Sequence, residues 1–218
     1  MSKSKVFIVD DHPLVREWLS TLIDQTPDLV VCDGAVDAES ALKGIAKTNP
    51  DLAIVDLSLG GDSGIDLIRS IGEQFPKVAM VVLSMHDEHV YAERSIRAGA
   101  RGYIMKREST KKVVDAIRQV LQGNIYLSKE LTELFAQKFI AGGSGGDASP
   151  IAQLSDRELE VFRFIGQGYE TREIAETLKV NIKTVQTYCT RIKDKLKLSS
   201  GAELLREAIR WNDTSLVR

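Results

Sequence analysis

Leu52-Ala53-Ile54-Val55-Asp56 is an apolar run closed by a carboxylate, and Val6-Phe7-Ile8-Val9-Asp10-Asp11 repeats the design near the N-terminus. Short continuous apolar runs of this kind mark strands buried on both faces of a parallel sheet. Ligands of such sheets bind in the crevice beyond the carboxyl ends of the strands. Two strands ending in acids therefore deliver Asp10, Asp11 and Asp56 to one place. The pattern extends further: Val78 to Leu83 ends at Ser84, and Tyr103-Ile104-Met105 ends at Lys106. Three acids, a hydroxyl and an amine at one sheet edge are the parts of a phosphoryl-transfer site.

Working outward, strand-like runs at about 5–10, 29–33, 51–56, 78–84 and 102–105 alternate with helical patterns at about 13–26, 37–48, 63–74, 88–98 and 109–122. Repeated β-α units predict a doubly wound α/β domain with a five-strand parallel sheet over residues 1–122. Ile65, Ile68 and Ile71 share one helical stripe, with Asp66, Arg69 and Glu73 off it. Gly123-Asn124 stops the fifth helix. Residues 123–150 then read as a linker. It holds a helix over 128–140, opened by Ser128 with Leu131, Leu134 and Phe135 on one side, and a flexible Gly-rich segment over 142–149.

Residues 151–218 read as an all-α four-helix domain. Ser155-Asp156-Arg157-Glu158 fits a capping box, and Leu159, Phe162 and Ile165 follow at helical spacing before Gly166 and Gly168. A short helix over about 171–178 precedes a longer one over about 182–197, capped by Asn181 with Val185 and Ile192 inward. A last helix over about 201–211 places Leu204, Leu205, Ala208 and Ile209 on one face. Two short helices joined by a tight turn form a helix-turn-helix pattern.

Bulk composition bounds rather than decides. The 218 residues are 43% hydrophobic and 28% charged with a net charge of −2, ordinary for packed domains and silent about partners. Residues 1–141 balance to −3 and residues 142–218 to +1, but Lys183 to Lys197 alone carries five Lys and Arg against Asp194. Such a segment is either a phosphate-facing helix or a solvated face. Cys32 and Cys189, one in each half, have no metal-ligand spacing and predict neither a disulfide nor a zinc site. No signal-peptide region opens the chain, and no apolar stretch nears the roughly 20 residues that cross a bilayer, so a bacterial-type cytoplasmic protein without a membrane partner is expected.

A carboxylate cluster without cysteines or histidines suits a hard cation such as Mg²⁺, which takes oxygen ligands and keeps several waters. One carboxylate must act as nucleophile. Asp56 is the candidate, because the adjacent Asp10 and Asp11 form a natural metal platform. Lys106 supplies a cation for one phosphoryl oxygen, and Ser84 a hydroxyl for another. Taken singly, Asp10 or Asp11 reads as a helix cap, Lys106 as a solvated lysine and Tyr103 as core packing; their convergence at four strand ends carries the functional reading. His12, His86 and His89 are expected as surface or capping residues.

Val9-Asp10-Asp11-His12-Pro13, Val55-Asp56-Leu57, Leu83-Ser84-Met85 and Gly102-Tyr103-Ile104-Met105-Lys106 together resemble the bacterial receiver domain of two-component response regulators. The resemblance implies a flavodoxin-like fold and phosphorylation of Asp56 by a sensor histidine kinase. It implies Mg²⁺ held at Asp10, Asp11, Asp56 and the backbone carbonyl of Ser58. Ser84 and Tyr103 become a switch pair, in which the hydroxyl moves toward the phosphate and the ring follows inward. Such a chain is a phosphoacceptor, not an enzyme acting on an external substrate. Receivers commonly carry Met-Pro after the phosphoacceptor, whereas this chain has Leu59-Gly60-Gly61, which predicts a more mobile loop. His86, two residues after Ser84, occupies a position from which receiver side chains influence hydrolysis.

Leu154-Ser155-Asp156-Arg157-Glu158-Leu159-Glu160-Val161, Glu173-Ile174-Ala175 and Lys183-Thr184-Val185-Gln186-Thr187-Tyr188 resemble the NarL/LuxR-type DNA-binding domain. The chemistry agrees: Gln186 offers a bidentate pair to adenine, and Thr187 and Thr190 offer methyl and hydroxyl contacts. Lys183, Thr184, Tyr188, Arg191 and Lys195 suit phosphates, which position without specifying. Glu170-Thr171 stands where a small polar cap is usual, which predicts a shift of the cap by one residue. Ile182 either packs inward or meets DNA apolarly. The expected whole is a transcriptional regulator switched by phosphorylation, which either releases the recognition helix from a masking contact or drives dimerisation, with a homodimer on repeated half-sites of double-stranded DNA as the expected active form. Three other readings are weighed: a phosphohydrolase, which usually has a second acid where this chain has Ser58; a phosphorylation-independent regulator; and an adaptor acting only through proteins.

Overall fold

The apolar runs become strands whose alternate side chains are buried against helices on both faces of one sheet. In chain order the first unit holds β1 (Ser4–Val9), α1 (Pro13–Asp24), β2 (Leu29–Ala35), α2 (Ala38–Thr48), β3 (Leu52–Val55), β4 (Ser58–Leu59), β5 (Asp62–Ser63) and α3 (Gly64–Gln74). It continues with β6 (Ala79–Ser84), α4 (Glu88–Ala98), β7 (Gly102–Met105), α5 (Thr110–Leu121) and α6 (Lys129–Ile140). The computed structural model describes residues 3–140 and 150–216, and the chain divides into two units, residues 1–142 and 143–218. Residues 142–149, read from composition as a flexible linker, lie outside the described residues.

The large sheet runs β2-β1-β3-β6-β7, and every neighbouring pair is parallel. The chain steps outward from β1 to β2, then crosses back to β3 on the other side. The crevice beyond the carboxyl ends of β1 and β3 is therefore the topological switch point, where such sheets bind ligands. Val6, Ile8, Leu52, Ile54, Val81 and Leu83 pack with Leu19, Ile23, Val113 and Ile117 on one face. Ile65, Ile68 and Ile71, at most 3% exposed, serve the helical layer on α3.

Two features differ from the sequence reading. Leu59-Gly60-Gly61 belongs to a hairpin that the strand pattern did not predict, in which Ser58 pairs with Ser63 and Leu59 with Asp62. Gly60 and Gly61 take φ of 56° and 116°, so the turn needs residues free of a Cβ penalty. Asp62 anchors the hairpin by accepting from the Ala38 N–H at 3.1 Å, at the start of α2. The linker, secondly, is not detached after α5. Tyr126 bridges Gly102 alongside β7, with Tyr103 N–H donating to the Tyr126 carbonyl at 3.0 Å and Tyr126 N–H to Arg101 at 2.9 Å. Ser128 then caps α6, its Oγ accepting from Leu131 N–H, and buries Leu131 in the first unit.

The second unit opens with a 3-10 turn (Pro150–Gln153), followed by α7 (Asp156–Gly166), α8 (Thr171–Thr177), α9 (Ile182–Leu196) and α10 (Gly201–Leu216). The capping box at Ser155 and Glu158 is formed in both directions. Glu170 caps α8 without displacement, its N–H donating to Glu173 at 2.7 Å. The last helix runs past the expected end because Trp211 packs on Phe162 at 5.7 Å and Asn212 donates to the Arg163 carbonyl. No helix among the described residues is long and apolar enough to cross a membrane.

Candidate acidic site and nucleic-acid interface

Three strand ends and the β1–α1 turn meet at the switch point. Asp10 and Asp56, 2% and 3% exposed, each lie 2.7 Å from the Lys106 ammonium, which bridges them. Asp56 is fixed through its own backbone, N–H to the Val9 carbonyl at 2.8 Å. Lys106 is fixed likewise, donating to the Ser84 carbonyl at 2.8 Å. Burial pushes the Asp56 carboxyl above its ordinary value; Lys106 opposes this and the neighbouring Asp10 adds to it. Burial tends to lower the Lys106 ammonium, but the two carboxylates outweigh it and leave it raised. Lys106 is thus held as a cation between two acids.

Asp11 is different. Its Oδ1 is buried without a hydrogen bond, although the His12 Nδ1 stands 2.7 Å away. That distance is short enough for attraction, but the atoms lack hydrogen-bond alignment. Ligand atoms of Asp10, Asp11, His12 and Asp56 all lie within 4.8 Å of one another. Three carboxylates against one ammonium leave a surplus of negative charge, and an orphaned buried oxygen is costly without a cation. An oxygen-rich donor set of this charge fits Mg²⁺ better than a soft metal. His12 was expected only as a surface or capping residue. It is the N-cap residue of α1, and its ring also borders the acids.

Ser84 is fully buried and accepts from the His86 N–H at 3.2 Å. The Tyr103 ring is 1% exposed, already inward, with its hydroxyl donating to the His86 carbonyl at 2.9 Å. Burial raises the Tyr103 phenol well above its ordinary value, so it remains a donor. The His86 ring closes the other side, with Nε2 2.9 Å from Ser58 Oγ and a stacked contact to Tyr91 at 4.8 Å. One residue thus links the hairpin after Asp56 with both Ser84 and Tyr103. Gly64 packs directly on Asp56: a Cβ there would be driven into the Asp56 carbonyl oxygen and the Leu57 backbone. Gly64→Ala is expected to cost about 1–3 kcal/mol of receiver stability by forcing that backbone to move. A thermal melt of the variant measures it, and an unchanged midpoint contradicts the close approach.

In the second unit, Lys183, Gln186, Thr187, Thr190 and Arg191 lie exposed along α9, with Thr184 and Tyr188 half-buried beside them. Val185 and Ile192 face inward at 0% exposure. Ile182 is 43% exposed and lines a groove with Ala175 and Glu176 of α8, so it presents one side to the neighbouring helix and one outward. The Asn181 side chain accepts from Lys183 N–H at 2.9 Å and fixes the start of the helix. Thr187 and Thr190 donate their hydroxyls back to the Lys183 and Gln186 carbonyls, leaving methyls and acceptor lone pairs outward.

Lys195 sits apart from this group. Its ammonium pairs with Glu158 Oε2 at 2.6 Å, and that carboxylate also accepts from the Ser155 N–H. Burial pushes the Glu158 carboxyl up, but Lys195 and Ser155 more than offset it, leaving it below its ordinary value. Ionised Glu158 therefore supports folding above the unfolded carboxylate range, and the support is lost as pH falls through the folded value. Lys195→Met is expected to cost about 1.5 kcal/mol near neutrality, toward the low end because the lysine is 38% exposed. Melts at neutral and acid pH check this: the gap to the wild type should narrow in acid, and a constant gap would contradict it.

With this geometry in view, comparisons with known proteins are specific. The family described as "Response regulator receiver domain" matches residues 6–118, and "Bacterial regulatory proteins, luxR family" matches residues 152–208. The chain is 36% identical over 211 residues to the oxygen regulatory protein NreC of Staphylococcus carnosus, covering 94% of this chain and 97% of that one. NreC of Staphylococcus epidermidis is 35% identical with the same coverage. Among solved structures, RcsB of Salmonella enterica serovar Typhimurium, bound to promoter rprA in the presence of phosphomimetic BeF3-, is 26% identical with a TM-score of 0.64, covering 94% and 98%. A LuxR-family two-component response regulator from Aurantimonas sp. is 32% identical with a TM-score of 0.59, covering 64% of this chain and 99% of that one. The chain belongs to the two-component response regulators of the NarL/LuxR type, with a receiver domain and a helix-turn-helix DNA-binding domain.

Proposed function

We propose that Asp56 accepts a phosphoryl group from a sensor histidine kinase in a Mg²⁺-dependent step, and that the phosphorylated chain binds repeated DNA half-sites as a homodimer. The observation that carries this reading is the burial of Asp10 and Asp56 around one ammonium, with the Asp11 oxygen beside them unmatched. Asp10, Asp11, Asp56 and the Ser58 carbonyl would hold the cation. Bound there, Mg²⁺ would neutralise charge on the transferring phosphoryl oxygens.

An Asp56 carboxylate oxygen attacks phosphorus, the P–N bond of the kinase phosphohistidine breaks, and the imidazole leaves. Lys106 exchanges one of its carboxylate contacts for a phosphoryl oxygen. Ser84 rotates its hydroxyl from the His86 N–H toward another. Tyr103, bonded through its hydroxyl to His86 and through its backbone to Tyr126, ties the pocket to the segment leading into α6. The phosphate biases an equilibrium between inactive and active receiver states. Residues 1–122 act as the receiver, 123–150 as connector and 151–218 as the DNA-binding domain. Gln186, Thr187 and Thr190 read bases, and Lys183, Thr184, Tyr188, Arg191 and Lys195 meet phosphates. Lys195 does so with the part of its ammonium that Glu158 leaves open.

Incubation with acetyl phosphate and Mg²⁺, followed by intact mass measurement, tests the first step. One added phosphoryl group that disappears with a chelator is expected. No added mass at saturating Mg²⁺ contradicts the reading.

A further inference from the structure

Arg16 lies on α1, outside the acid cluster, yet its guanidinium Nη1 reaches back to the Asp10 backbone carbonyl at 2.6 Å. Among the described residues it pairs with no carboxylate, so its cation is committed to that one carbonyl. The stem passes over Gly34 of β2, where even a built Cβ would stand 4.0 Å from Arg16 Cδ. The N–H groups of Val15 and Arg16 in the first turn of α1 donate to the His12 carbonyl, not to that of Asp10.

The remaining polar atoms of Asp10 are also fixed. Its N–H donates to the Ala35 carbonyl at 3.1 Å, Oδ1 accepts from the His12 N–H at 2.8 Å, and Oδ2 meets Lys106 at 2.7 Å. The carbonyl held by Arg16 belongs to the Asp10–Asp11 peptide, which is planar. Orienting that plane sets the direction in which the Asp11 chain leaves β1. Asp11 itself has no hydrogen bond at its buried Oδ1; the contact there is the His12 ring, 61% exposed and 2.7 Å away without hydrogen-bond alignment, which holds that oxygen only loosely. The aim comes from the peptide before it.

We infer that Arg16 is a positioning residue for cation binding: by clamping the Asp10 carbonyl it holds Asp11 in the orientation that meets Mg²⁺. The inference rests on the Mg²⁺ reading above. A charge-assisted bond of this length is stronger than a neutral one, and its loss leaves a nearly buried carbonyl unmatched. Partners that orient metal ligands from outside typically change affinity about 10–100-fold when removed.

The test is calorimetric titration of the full chain with MgCl₂. Arg16→Met keeps the stem and removes the donors; Arg16→Lys keeps a cationic donor on a different reach. Arg101→Met is the control, because Arg101 also donates to a carbonyl, that of Gly123 at 3.1 Å, away from the acids. Mg²⁺ affinity is expected to fall roughly 10–100-fold in Arg16→Met, by less in Arg16→Lys, and not in Arg101→Met. Arg16→Met within about twofold of the wild type, against the 10–100-fold expected, overturns the inference. So does an equal loss in Arg101→Met, which would mark a general effect of destabilisation. Should Arg16→Met fail to fold, Arg16→Lys decides: weakened Mg²⁺ binding with an unchanged Mg²⁺-free melt supports the inference, and wild-type affinity overturns it. A wild-type chain that takes up no Mg²⁺ overturns the metal reading itself, a result distinct from every one above.

Discussion

Asp56→Asn is expected to abolish phosphoryl incorporation from acetyl phosphate while raising the receiver's melting temperature near neutral pH. The first effect follows from removing the nucleophile, a loss of roughly 10³-fold or more. The second follows from burial. Asp56 is 3% exposed, its carboxyl lies above its ordinary value, and the neighbouring Asp10 carboxylate repels it. A folded-state value above the unfolded one means that ionised Asp56 opposes folding. The penalty is absent below the unfolded carboxylate range and fully present once pH exceeds the folded value. Asparagine removes the charge, and Lys106 keeps Asp10 as a partner at 2.7 Å. Mass measurement and melts across pH check both halves. A variant that still acquires phosphate moves the acceptor elsewhere; one that melts lower at neutral pH means the Lys106–Asp56 pair contributes more than burial costs.

The second large effect concerns the exposed face of α9. Gln186→Ala removes the side chain best suited to a bidentate base contact and should cost about 1–3 kcal/mol at the preferred sequence, or roughly 5–150-fold in affinity. The loss should be confined to that base position, so discrimination there relaxes. Lys183→Ala should instead weaken binding evenly across sequences and reduce the salt slope by about one. Combined, the two changes should bring site-specific binding near the non-specific level, without unfolding, because Val185 and Ile192 rather than these residues form the buried side of the helix. Titrations against a selected site and a scrambled one, at several salt concentrations, separate the two contributions. Equal losses from both variants on both sequences would mean that Gln186 reads no base.

The acids at the switch point were legible because strands buried on both faces are continuous apolar runs, and whatever follows such a run stands at the sheet edge. Asp10, Asp11, Asp56, Ser84 and Lys106 needed nothing more. The cap at Asn181 and the box at Ser155 were legible for a local reason, since both act within a few residues. What escaped lacks a local period. The β4–β5 hairpin has two residues per strand, too few for alternation, so its pairing left no pattern, and Gly60-Gly61 did not show that both residues of the turn take positive φ. Tyr126 alongside β7 is a single bridge and leaves no pattern. The Lys195–Glu158 bond escaped because it joins residues 37 apart; the helix face alone says nothing of it. Arg16 depends on which way a long side chain turns, which spacing does not specify. His12 stands where it was expected, as an exposed cap of α1; its place beside two acids follows from the turn and not from any period.

If the acidic site regulates the second unit, DNA binding by the whole chain must depend on the state of Asp56. The protein, with Asp56→Ala alongside, would be challenged with a random-sequence library, with and without beryllofluoride and Mg²⁺. A repeated site that is enriched and bound more tightly only with the phosphoryl mimic and an intact Asp56 is the predicted result. Equal enrichment of the same site in every condition, including Asp56→Ala, would contradict it and make the chain a constitutive DNA binder.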